Sequence, residues 1–145
     1  MLAEAINTAK IRHNFHILAY VFMPDHVHIL ILPEDEKYDI SKILHSIKQS
    51  VSRRVLIYAR KSNPALLESM KTNQRNKPYR FWQAGGGYDR NIISTKALIS
   101  SAKYIHNNPV RKGFVKSSDD WIWSSAQDWN GTGKGLIEIS KEKFV

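Results

Sequence analysis

The stretch FHILAYVFMPDHVHILIL, residues 15–32, decides how this chain folds. Its first half, Phe15–Phe22, is rich in β-forming residues. Met23-Pro24-Asp25 then makes a corner, because proline suits a turn and cannot continue a central strand. His26–Leu32 resumes as a second apolar run. The pattern predicts an antiparallel hairpin with apolar side chains on both faces, as a buried sheet requires. Alternate residues of a strand share a face, so His26 and His28 are expected side by side as a two-point grip for a metal ion. On its own the His-x-His tripeptide is also compatible with a packed or surface pair.

Upstream, Leu2–Arg12 reads as a helix with Ile6 and Ala9 on one side, and no strand precedes it. Downstream, Pro33–Tyr38 is an acidic loop carrying Glu34, Asp35 and Glu36. Asp39 or Ser41 is placed to cap a helix. Ile40, Ile43, Leu44, Ile47, Val51 and Val55 give that helix an apolar stripe at spacings of three and four, ending near Asn63-Pro64. Residues 61–79 are polar and basic, a loop with room for a helical turn. Tyr79–Gln83 reads as a short strand and Gly85–Gly87 as a flexible joint. Ser94 or Thr95 caps a helix to about Asn107, with Leu98, Ser101, Ala102 and Ile105 on its packing face. Pro109 stops it and leaves Asn108 at its end. Residues four apart share a helix face, so Tyr104 and Asn108 are expected to point the same way. His106 is expected on the surface. The tail holds Trp121, Trp123 and Trp129, a glycine-rich turn at Gly131–Gly135, and a last short strand or helix.

Length and composition bound the rest. The 145 residues fit one domain, 1–145, with a real core. With no cysteine there is no disulfide framework and no thiolate metal site. No apolar run is long enough for a membrane helix and no signal peptide is visible, so a cytoplasmic, nucleoid-associated location is expected, with no membrane partner. The net charge of +9 is unevenly spread: residues 40–116 hold sixteen lysines and arginines against two acids, Glu68 and Asp89. A field of one sign suits a polyanion.

If the late helix crosses the hairpin, two imidazoles, one amide oxygen and a phenol converge. Those are the parts of a metal-assisted nucleophilic site for phosphodiesters. Several blocks in the same order reinforce this. Residues 20–30, YVFMPDHVHIL, resemble the signature of the HUH single-tyrosine transposases, the insertion-sequence-200-like family. Phe81-Trp82-Gln83 with Tyr88, Asp89 and Ile92 looks like their second block. Residues 104–113, YIHNNPVRKG, look like the nucleophile block, and Trp123-Ser124-Ser125 resembles a tail motif of the REP-associated branch. The likeness covers roughly residues 2–129.

The resemblance implies an α+β, ferredoxin-like antiparallel sheet with helices on one face and the nucleophile on a C-terminal helix. The family's first strand is not found in this sequence. It implies a metal-dependent endonuclease and strand-transferase for hairpin-bearing single-stranded DNA. His26, His28 and Asn108 would bind the ion, and Tyr104 would form a 5′-phosphotyrosine. Nitrogen and amide-oxygen ligands suit Mn²⁺ better than Mg²⁺, with DNA oxygens and water completing the shell. Lys48, Arg53, Arg54, Arg75, Lys77, Arg80, Arg90, Lys103, Arg111 and Lys112 are the expected DNA contacts. Tyr79, Phe81, Trp82 and Tyr88 are candidates to stack on bases, with core packing the competing role for Trp82. The protein is expected to be a monomer or homodimer. The competing function is a catalytically decayed or domesticated relative that holds folded single strands without cutting them.

Overall fold

A computed structural model describes residues 1–85 and 87–144. Gly86, the centre of the expected glycine joint, lies outside the described residues; its neighbours Gly85 and Gly87 both adopt positive φ, 98° and 115°. The chain divides into two compact units, each discontinuous in sequence: residues 1–12 with 38–88, and residues 13–37 with 89–145.

The first unit is helical. α1 (Leu2–Arg12) packs against α2 (Ile40–Ser62). Their buried residues are Ala5, Ile6 and Ala9 on α1 and Ile43, Ile47, Val51 and Ala59 on α2; Ile40, Leu44 and Val55 of the expected stripe are half-buried. The Asp39 carboxylate caps α2, accepting from the Ser41 and Lys42 amides at 2.9 and 3.2 Å. Asn63 closes α2, and its side chain accepts from the Leu66 amide at 3.0 Å to start α3 (Pro64–Ser69). Proline at the first position of α3 loses no hydrogen bond there. The expected strand Tyr79–Gln83 does not form. Only a single bridge, Lys71 to Tyr79, is made. A strand needs a partner along its length, and Pro78 removes a donor at its start. Residues 70–80 instead close as a loop, with Arg80 N–H on Met70 O at 2.7 Å and Thr72 N–H on Pro78 O at 2.9 Å.

The second unit holds the sheet. β1 (Phe15–Phe22) and β2 (Val27–Pro33) pair antiparallel, with Phe22 opposite Val27 and Val21 opposite His28. β2 begins at Val27, one residue later than its apolar run suggested, so His26 sits in the turn. The register shifts between Ile17 and Ala19, leaving Leu18 as a bulge. The Trp129 indole N–H donates to the Leu18 carbonyl at 3.0 Å. α4 (Thr95–His106) packs on both strands. Leu18, Ala19, Val21, Met23 and Leu30 meet Ala102 and Ile105 in one core. A short helical turn, α5 (Asn108–Arg111), follows, then a tail with α6 (Ala126–Asn130) between two 3₁₀ turns. The α+β class read from the sequence holds, with a two-stranded sheet among the described residues. None of their helices is long and apolar enough to cross a membrane.

Candidate active site

The hairpin positions the histidines. His28 lies on β2 and is half-buried; His26 precedes it at the turn, where Met23 N–H donates to His26 O at 2.8 Å. The two rings meet edge to face, centroids 4.9 Å apart. Burial, and then the neighbouring His26 ring, hold the His28 imidazole below its ordinary pKa. It is therefore neutral near pH 7, the form that offers a lone pair. His26 Nδ1 and Asp25 Oδ1 are 2.6 Å apart, and the hydrogen bond from His26 holds the Asp25 carboxyl below the usual carboxylate range. An ionised carboxylate only accepts, so His26 Nδ1–H donates to it and Nε2 is the ring nitrogen not engaged by Asp25. Carboxylate partners orient metal-binding histidines in this way.

α4 positions the phenol. Ser94 caps it, accepting from the Ala97 amide at 3.2 Å, and Ala102 and Ile105 bury its inner face. Tyr104 projects from the same helix, 51% exposed. Its ring sits edge-on to His28, centroids 6.0 Å apart at 76°. The Arg111 guanidinium lies over its face, 4.7 Å from the centroid. The structure thus gathers His26, His28 and Tyr104, and adds a cation that sequence reasoning had assigned only to DNA phosphates. Lys103, the residue before Tyr104 in the chain, is exposed.

Asn108 opens α5 rather than closing α4, because α4 ends at His106 and the chain restarts at the proline. It is only 4% exposed. Among the described residues its side-chain amide makes no hydrogen bond, and none of their fully buried polar atoms is left unpaired. The amide is therefore the part of Asn108 that still reaches solvent. The described residues hold no cluster of three histidine, cysteine or carboxylate groups. By donor chemistry the expected ligands are compatible with a divalent ion: His28 is a neutral imidazole, His26 has its Nδ1 engaged by Asp25, and the Asn108 amide makes no hydrogen bond among the described residues.

His106 corrects the expectation of a surface position. It is 7% exposed, its Nε2 lies 2.8 Å from Ser125 Oγ, and its ring packs on Trp129 at 5.6 Å. Burial pushes its pKa down to about 4. His106 lies four residues after Ala102 on the packing face, and its cover comes from Ser125 and Trp129 of the tail.

The expected DNA contacts divide between the units. In the first, Arg53, Arg75 and Lys77 are exposed and Lys48 is half-buried. Arg54 is already paired with Glu4, and Arg80 donates to the Gln74 side chain at 2.9 Å. In the second, Arg90, Lys103, Arg111 and Lys112 are exposed. Of the aromatics, Tyr88 is 89% exposed, whereas the Trp82 indole N–H donates to Lys48 O at 2.9 Å. Trp82 is thus tied to α2, whereas Tyr88 and, less fully, Phe81 are open to solvent.

Comparison with known proteins finds relatives for the chain as a whole. Residues 1–108 match the family described as IS200-like transposases. A REP-associated tyrosine transposase of Haemophilus influenzae is 28% identical over 128 residues, covering 81% of this chain and 68% of the relative. A REP-associated tyrosine transposase of Escherichia coli K12 is 29% identical over 140 residues, covering 96% and 70%. A solved structure of a REP-associated tyrosine transposase bound to a REP hairpin superposes with a TM-score of 0.66 at 23% identity, covering 96% of this chain and 72% of that one; it shares the fold.

Proposed function

Because this chain belongs to the IS200-like transposase family, whose members are HUH tyrosine transposases and generally depend on a metal ion, we propose that it cuts and rejoins single-stranded, hairpin-bearing DNA through Tyr104. The observation that carries this reading is the Tyr104 ring seated on His28, with His26 beside it. Its relatives' association with REP elements, and the hairpin held by its structural neighbour, make a REP-like hairpin the substrate of choice.

His26, His28 and Asn108 would hold the ion, Mn²⁺ or Mg²⁺. When bound, such an ion polarises the scissile phosphoryl group and screens its charge. The remaining chemistry belongs to the chain. Tyr104 Oη attacks the phosphorus, its proton passing to solvent. The bond to the 3′ oxygen breaks, and that oxygen leaves as a 3′-OH after taking a proton. The 5′ end stays on Tyr104 as a phosphotyrosine. A 3′-OH attacks that ester in the reverse sense, restores the phenol and rejoins the strand, so no nucleotide cofactor is needed. Exposed arginines and lysines such as Arg53, Arg75, Lys77, Arg90 and Lys112 would neutralise phosphates, and Tyr88 would offer a face for a base to stack on.

The test is incubation of the protein with labelled hairpin DNA and Mn²⁺, followed by a denaturing gel. The expected result is a metal-dependent covalent protein–DNA band that Tyr104→Phe abolishes while retaining binding on a native gel. Binding without any covalent band in the wild type would make the chain a hairpin-holding protein and overturn the enzyme reading.

A further inference from the structure

The Arg111 side chain has one partner among the described residues, the Tyr104 ring. Its guanidinium lies 4.7 Å from the Tyr104 ring centroid, and it forms no ion pair or side-chain hydrogen bond. Other arginines are held differently: Arg54 by Glu4, Arg80 by Gln74. Tyr104 is in a matching situation. Its hydroxyl has no hydrogen-bond partner among the described residues and half of the side chain is exposed. An exposed tyrosine is free to change rotamer, yet a nucleophile reacts only from a near-attack geometry. Two contacts oppose that freedom, the His28 edge on one side and the Arg111 plane on the face.

Arg111 is itself on a fixed platform. Pro109 has no N–H, so α4 cannot run through it. The chain restarts as α5 with Asn108 and Pro109 both buried. Arg111 N–H bonds Asn107 O at 2.9 Å, Lys112 N–H bonds Asn108 O at 3.0 Å, and Gly113 turns the chain at φ 76°. The turn that buries Asn108 therefore also sets the plane over Tyr104.

We infer that Arg111 is a positioning residue for Tyr104, stacking on the phenol to hold it in the attacking rotamer and keeping its guanidinium N–H donors open toward the phosphate that the phenol takes up. This rests on Tyr104 being the nucleophile. An arginine suits the task because its charge is spread over a plane that stacks, whereas lysine presents a point charge on a flexible stem.

The test uses the full chain in two measurements. The first is single-turnover adduct formation at saturating hairpin DNA with Mn²⁺, alongside hairpin affinity by fluorescence anisotropy, for wild type, Arg111→Ala and Arg111→Lys. The expected result is a rate about ten- to a hundredfold lower in Arg111→Ala, with affinity weakened only a few-fold. Arg111→Lys should recover the affinity but little of the rate. Weakened affinity with an unchanged saturating rate, or full rescue of the rate by lysine, would make Arg111 an ordinary phosphate contact. The second measurement is ¹⁹F NMR of protein labelled with 3-fluorotyrosine, in which Tyr104→Phe identifies one resonance among the six tyrosines. Arg111→Ala should move and sharpen that resonance and leave the others in place. An unmoved Tyr104 signal in a folded Arg111→Ala overturns the positioning role by itself. A wild type that forms no adduct removes the nucleophile reading and this proposal with it.

Discussion

Tyr20 is completely buried, and its hydroxyl accepts the Ile137 N–H at 3.1 Å. Burial raises the Tyr20 pKa above its ordinary value, outweighing the hydrogen bonds from Ile137 and Leu136. The folded state therefore holds this proton more tightly than the unfolded state, whose value is about 10. The stability that follows is fully present below pH ~10 and is lost as pH climbs through the unfolded value toward the folded one. Tyr20→Phe should remove that alkaline component. It should also cost about 1–3 kcal/mol at neutral pH, because the Ile137 N–H loses its acceptor. Urea melts of both proteins at pH 8 and pH 11 check this; a stability gap that is identical at the two pH values would contradict it. Gly135 belongs to the same contact. A Cβ there would fall 2.6 Å from Asp128 Oδ2, 3.0 Å from Ser124 O and against the Tyr20 hydroxyl. Gly135→Ala should destabilise by about 1–3 kcal/mol, measurable as a lower urea midpoint with an unchanged slope.

At the level of elements, the tail completes β1. Ser124 bridges Val21, Phe22 N–H reaches Trp123 O at 2.8 Å, and Ser125 N–H reaches Tyr20 O at 3.1 Å. The Trp121 indole takes the Phe22 carbonyl at 3.0 Å, and Ser140 N–H the Ile17 carbonyl at 2.8 Å. A strand edge that would otherwise be open to foreign strands is thereby satisfied. Ser125 is the pin, since its hydroxyl also meets the Tyr20 N–H at 2.9 Å and His106 Nε2 at 2.8 Å. Ser125→Ala should cost about 1–3 kcal/mol and speed amide exchange at Tyr20 first; protection at Tyr20 equal to wild type would refute the pin. These contacts also explain what could be read from the sequence. The hairpin and the stripe of α2 were legible because strand and helix periodicities and the Pro24 corner are local signals. The bulge at Leu18, the buried His106 and the edge contacts of residues 121–125 were not, because each depends on residues far away along the chain. Tyr79–Gln83 looked like a strand from its aromatic content, but among the described residues it makes only the single bridge to Lys71. The nearness of His26, His28 and Tyr104 was legible through spacing and resemblance. The stacking of Arg111 was not, because it depends on how the chain turns at Pro109.

Over the whole molecule, a net charge of +9, concentrated between residues 40 and 116, makes DNA affinity a function of salt. Each phosphate neutralised on a single strand contributes about 0.7 to the slope of log affinity against log salt. Arg53→Ala, at an exposed position, should lower the slope by about that amount. Arg54→Ala should lower it less, because that guanidinium is already paired with Glu4. Equal changes in the two variants would mean that the Glu4 pair opens when DNA binds. Peptide mapping locates the covalent bond proposed on Tyr104. After reaction with hairpin DNA and Mn²⁺, the protein is digested with nuclease and protease, and the peptide carrying the added nucleotide mass is sequenced by tandem mass spectrometry. The expected product is a 5′-phosphonucleotide on Tyr104. Nucleotide found on any other residue, or a 3′-linked adduct, would contradict it.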